Sequence, residues 1–258
     1  MTPRNFLVRG LAAGLIAGIL AFAVAYTVGE PQVDAAIAVE EAAAAHEPAE
    51  PADGHSHEEE AGTEVSRDAQ STFGLATGTL AVGIALGGVV GLASAFAVGR
   101  IGQLRPSQST ALVALLGFVA FGLVPFLKYP STPPAVGNPD TISDRTLQFF
   151  AMQAISLLAM IGAVLLARRL LGSLGTYRTI LASGGAYLLV VIVAAALMPA
   201  VNEIGDFPAD TLWYFRLSSL LTIATMWGTI GIVLAGLIGR LHDKESASTA
   251  RRDLAASL

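Results

Sequence analysis

Six stretches of this chain run for 20 residues or more without a charged side chain, and that spacing limits what it can fold into. They lie between Arg9 and Glu30, Asp68 and Arg100, Arg105 and Lys128, Arg145 and Arg168, Arg178 and Glu203, and Arg216 and Arg240. An apolar run of about 18 residues or more can cross the hydrocarbon core of a bilayer as a helix. None of the six alternates polar and apolar residues as a membrane-barrel strand would. The spacing predicts an all-α integral membrane protein, a bundle of about six transmembrane helices near 6–28, 73–98, 111–127, 149–167, 179–198 and 217–239. Composition agrees, since 14% of the residues are charged against about 25% in soluble domains. With no cysteine, disulfides, thiolate metal sites and cysteine nucleophiles are excluded.

Lys and Arg concentrate on the cytoplasmic side of membrane proteins. With the N-terminus inside, only Arg67, Lys128, Arg145 and Arg216 of the 15 basic residues fall outside. Of the 20 acids, only Asp243, Glu245 and Asp253 fall inside. The expectation is a multi-pass protein of the inner (plasma) membrane with both termini cytoplasmic. Its parts would be a first transmembrane helix (1–28), an acidic His-bearing outer loop (29–72), a five-helix core with two outer hairpins (73–240) and a cytoplasmic tail (241–258). The first stretch also reads as a signal peptide, with a basic start and small residues at "AFA". Gly10, Gly14 and Gly18 at four-residue spacing favour a retained helix, because such stripes let helices approach closely in lipid. Gly83, Gly87 and Gly91 repeat that spacing, as do Gly74 and Gly78.

No ionisable residue lies mid-span, where proton relays and ion paths usually place one. The softer groups there are Thr77, Thr79, Met152, Gln153, Ser156, Met160, Met198, Thr222, Thr225 and Met226. They either line a narrow polar path or satisfy their own helix backbones and pack. No HExxH, GxSxG or Ser-x-x-Lys motif is present, so no enzyme is expected.

Two outer segments look alike. "VPFLKYPSTPPAVGNPDTISDRTLQFF" and "LMPAVNEIGDFPADTLWYFRLSSL" each leave a helix at a proline (Pro125, Pro199) and pass through polar residues (Lys128 and Tyr129; Asn202 and Glu203). Each restarts with proline and acid before Arg145 or Arg216. Thr141 with Asp144 three residues on reads as a capping box. Charges at an interface should be paired, so contacts are expected among Lys128, Asp144, Arg145, Glu203 and Arg216. With Asn202 these residues form a candidate transport vestibule; the bland alternative is that they cap helices and snorkel to headgroups.

These hairpins, with "EPADG" and "STFGLATG" before and at the second helix, resemble the CbtA family of predicted cobalt transporter subunits. The resemblance runs from the first helix to about residue 240. It implies a multi-span component of a cobalt uptake system linked to cobalamin supply, working with a small, single-span, histidine-bearing partner (CbtB-like). The residues shared by likeness are Pro125, Lys128, Tyr129, Pro130, Pro139, Arg145, Pro199, Asn202, Glu203, Phe207, Pro208 and Arg216.

Three of the four histidines sit in "HEPAEPADGHSHEEE". Residues 29–72 are rich in Ala, Pro and Glu, a composition that cannot bury a core and predicts disorder. His46, His55, His57 and Glu58 could bind a divalent ion, but a flexible imidazole set favours copper over cobalt and cannot impose geometry. Weak metal capture, a tight site and a solvated acidic loop all remain open. The function expected is the membrane subunit of a divalent metal uptake transporter, with the outer loop collecting ions and the hairpins forming the entry. The competing reading is a non-transporting interaction or assembly subunit, or a metal sensor. No tightly bound cofactor and no nucleic-acid partner are expected; the lipid bilayer is the solvent, and Co²⁺ (or Ni²⁺) the cargo.

Overall fold

The computed structural model describes residues 1–45 and 66–257, and among these every regular element is helical. Five helices are long and apolar enough to cross a membrane. We label them α1 (Pro3–Ala44), α2 (Arg67–Ala97), α3 (Pro106–Lys128), α4 (Ile142–Leu197) and α5 (Ala209–Ala256). Each of the six expected positions falls, to within one residue, inside one of these five helices, 149–167 and 179–198 both inside α4, and most helices run further than the charge-free windows.

The glycine stripes of α1 and α2 meet face to face. A Cβ placed on Gly83 would lie 2.6 Å from the Gly14 carbonyl oxygen, and one on Gly91 2.6 Å from that of Phe6. Gly10 opposes Gly87 in the same way. Residue 6 sits by residue 91 and residue 18 by residue 80, so the two helices are antiparallel. Ala13, Ala17 and Ala21 of α1 are also fully buried, in the cluster that includes Val90 of α2 and Ile230 of α5. In lipid, where apolar side chains gain nothing by leaving tails for protein, such backbone-to-backbone contact is what holds helices together. Gly78 has nothing near its missing Cβ, so only the 83/87/91 stripe works as expected. On the other side, α5 packs against α1 and α3 through Met226, Trp227, Ile230, Leu234 and Ile238.

Helix α4 is two helices. Gly175 (φ 71, ψ 171) interrupts it. The Ser156 and Tyr187 hydroxyls, 31 residues apart, lie 2.9 Å from each other in the interior. A continuous helix would separate them by about 46 Å, so the two arms fold back on each other. Glycine tolerates the left-handed φ that this reversal needs. The hairpin packs through Met152, Tyr187 and Val191 against the C-terminal half of α3.

That half of α3 is itself irregular. A π-turn, Phe118–Leu123, precedes Pro125. Proline has no N–H for the carbonyl four residues back, which here is Phe121. Gln153 fills the gap from α4, its Nε2 donating to Phe121 O at 3.0 Å. In α1 the π-turn Ala25–Gly29 stands just before Pro31 in the same way.

The expected disorder of 29–72 is corrected where residues are described. α1 continues through Glu30–Ala44, and α2 begins at Arg67. Arg67 pairs with both Glu30 and Asp34, which stand one turn apart on α1. An Ala- and Glu-rich segment is a good helix former, and a cross-helix cation anchors it. His46, His55, His57 and Glu58 lie outside the described residues.

Candidate functional site

The two proline-flanked hairpins converge at one end of the bundle, where Lys128, Arg145, Glu203 and Arg216 line a cavity of about 450 Å³. Asp144 and Asn202, expected there too, are exposed and lie outside its wall.

Tertiary hydrogen bonds tie the hairpins together. α3 ends at Lys128, whose Nζ donates to Met198 O at 3.2 Å. Tyr129 next to it donates its hydroxyl to Pro199 O at 2.8 Å. Both acceptors stand where α4 ends and its last carbonyls have no helical partner, and a cation suits that negative end of the helix dipole. Burial pushes the Tyr129 phenol above its ordinary range.

Glu203 is the second fastener. One of its carboxylate oxygens accepts from the Asn138 N–H at 2.9 Å, lies 2.9 Å from the Thr141 hydroxyl, and faces Arg145 Nε at 3.5 Å. Those donors, the Asn138 N–H foremost, hold its carboxyl below the usual range. Arg145 lies across Gly137 (φ 106), where an added Cβ would fall 2.6 Å from the guanidinium carbon. It also donates to Asn138 O at 3.2 Å. The capping box does not form, because Thr141 spends its hydroxyl on Asn138 O and Glu203 and does not cap α4.

Of the expected ion-pair cluster, only Arg145–Glu203 is present. Among the described residues, Lys128 and Arg216 have no acid within salt-bridge distance. Arg216 reaches only a neutral partner, Ser131 O, at 3.4 Å from its Nε. The charged lining is therefore three cations and one carboxylate that is already engaged. Among the described residues no three His, Asp or Glu side chains are grouped to hold a metal ion. Four of the mid-span polar groups follow the packing reading. Thr79 and Thr222 bond to their own helix backbones, and Gln153 and Ser156 join α3 to α4 and the arms of α4 to each other. Sequence reasoning missed Ser131, whose Oγ is buried with no partner on the cavity wall; it sits within the first hairpin motif, in a position without a charge to draw notice, and Thr141 was read only as a helix cap.

A family model described as "Probable cobalt transporter subunit (CbtA)" matches residues 3–239. No curated protein and no solved structure matches the chain.

Proposed function

The chain belongs to the probable cobalt transporter subunit (CbtA) family, and on that premise we propose that it is the membrane subunit of a divalent metal uptake system with cobalt as its cargo. The observation that carries this is the extent of the family match, which takes in α1 to α4, α5 as far as Gly239, and both hairpins. In this reading the two arms of α4 bring the number of crossings to six. The basic loops and both termini face the cytoplasm of a cell bounded by the inner (plasma) membrane, and the hairpins face outward. In support, the Met1 ammonium lies 2.9 Å from Glu245, so the N-terminus and the far part of α5 share one end of the bundle. The acidic segment with His46, His55, His57 and Glu58 would gather ions, and the hairpin cavity would admit them.

A small, single-span, histidine-bearing partner (CbtB-like) would supply ligands or energy coupling. The support is that the described spans carry no grouped metal ligands. One observation favours the second reading, a non-transporting assembly subunit or sensor: the cavity wall is cationic, which suits neither the capture nor the passage of a bare cation.

The deciding measurement is cellular metal content across several metals, with the chain expressed or absent and with or without a partner. Cobalt accumulation should rise several-fold only when the chain is present. If no metal changes in any combination, the transport reading falls. Combined Arg145→Ala, Glu203→Ala and Arg216→Ala should abolish the rise; unchanged accumulation would remove the hairpins from the entry. Deleting residues 46–65 should lower uptake only at scarce cobalt if that segment merely collects ions.

A further inference from the structure

The charge of the hairpin cavity points to a ligand other than a free metal ion. A hydrated divalent ion, at about 30 Å³ per water, would fit easily in about 450 Å³, and so would a small organic acid. Size does not choose between them, so charge and donor supply must.

The single lining carboxylate, Glu203, has one oxygen committed to Asn138, Thr141 and Arg145. The donors are in surplus. Arg216 is half-buried and shares the cavity wall with Phe126, Phe149 and Ile223, yet its bond runs from Nε to a backbone carbonyl. A guanidinium offers five N–H donors in a planar fork that matches carboxylate and phosphate oxygens. The ammonium of Lys128 spends one bond on Met198 O. The Ser131 hydroxyl, buried beside them, has no partner. A half-buried cation without an acid carries an unrecovered desolvation cost, and an incoming oxyanion would offset it. A divalent cation in the same place would instead face a net positive wall.

We propose that this cavity binds an oxyanion, a carboxylate or phosphate group, through Arg216, Lys128 and Ser131. It follows, resting on the cobalt reading above, that the metal reaches the hairpins as an anionic carboxylate chelate and not as the hydrated ion. Arg145 and Glu203 hold the wall in shape, and Arg216 and Lys128 meet the ligand.

The full chain, purified into nanodiscs of zwitterionic phosphatidylcholine, is titrated calorimetrically with citrate, inorganic phosphate, CoCl₂ and cobalt citrate. Citrate and cobalt citrate should bind saturably and weaken as salt is raised. Arg216→Gln and Lys128→Gln should each weaken binding by about tenfold or more, the scale of a lost charged hydrogen bond. Arg216→Lys, which keeps the charge but not the planar fork, should weaken binding less than Arg216→Gln and controls for folding. CoCl₂ binding should not respond to either Gln variant. The oxyanion site is overturned if neither citrate nor phosphate binds, or if both bind equally to the Gln variants. If anionic phospholipid added to the discs displaces citrate from wild type alone, the site stands with a lipid phosphate as its ligand and the chelate step is overturned. Anion binding with no chain-dependent cobalt accumulation would sink the transport reading and leave the site. Accumulation without anion binding would do the reverse.

Discussion

Glu203 gathers three of the contacts between the two hairpins on one oxygen, which makes it the residue whose titration should be visible. Its folded-state pKa is depressed from the ordinary 4.5, so its contribution is fully present above that value and is lost as pH falls towards the lower, folded pKa. Wild type should therefore lose thermal stability on acidification below about pH 4.5, and Glu203→Gln should remove that part of the pH dependence. Melting curves of both proteins across pH 3–6 check this; parallel curves would show that Glu203 is not the titrating fastener. Gly137 gives an independent handle on the same contact. Alanine there would be strained at φ 106 and would strike the Arg145 guanidinium. Gly137→Ala should thus lower thermal stability about as much as Arg145→Gln, and the double variant should add little to either.

Among the elements, the α1–α2 pair is the one most dependent on absent side chains. Gly14→Val or Gly87→Val would drive a branched side chain into a facing carbonyl, and backbone cannot swing aside as a flexible side chain can. The expected cost is about 2 kcal/mol or more, while Gly78→Val, with open space around it, should cost little. Unfolding in mixed micelles should separate the two classes, and equal stability of all three variants would contradict the packing. Gln153→Leu should cost about 1 kcal/mol, because it strands the Phe121 carbonyl that Pro125 leaves without a donor. The glycine pairing was legible in the sequence because helical spacing and small size are visible without coordinates. The Gln153–Phe121 bond was not, since it needs two helices in register; its only signal was Pro125 inside an apolar run. Thr141–Asp144 was misread because a cap depends on backbone angles, and Thr141 adopts φ −98 and ψ 0 while its hydroxyl turns to another hairpin. Residues 30–44 were misread because low hydrophobicity outweighed good helix propensity, and the anchoring cation, Arg67, stands 37 residues from Glu30.

For the molecule as a whole, charge placement along the chain decided more than any motif. The gaps between charges located all five long apolar helices of the described residues, and the proline-flanked segments found the cavity. The sign of the cavity emerged only from the fold, which brings Lys128, Arg145 and Arg216 together and leaves Asp144 outside. Two segments of ordinary mixed charge thus enclose a positive space.

Gly175 divides the chain into pieces that need not be covalently joined. The α4 arms meet through their own side chains, and a Cβ added at Gly172 or Gly175 would meet nothing within 4 Å. A protease recognition sequence inserted after Gly175 should therefore be tolerated. Cutting it should leave the fragments 1–175 and 176–258 travelling together on a sizing column, held by side-chain contacts alone. Performed on sealed vesicles of known sidedness, the same cut would report which face of the membrane that turn occupies. Fragments that part on cleavage would mean that the peptide bond, and not the packing, keeps the two arms together.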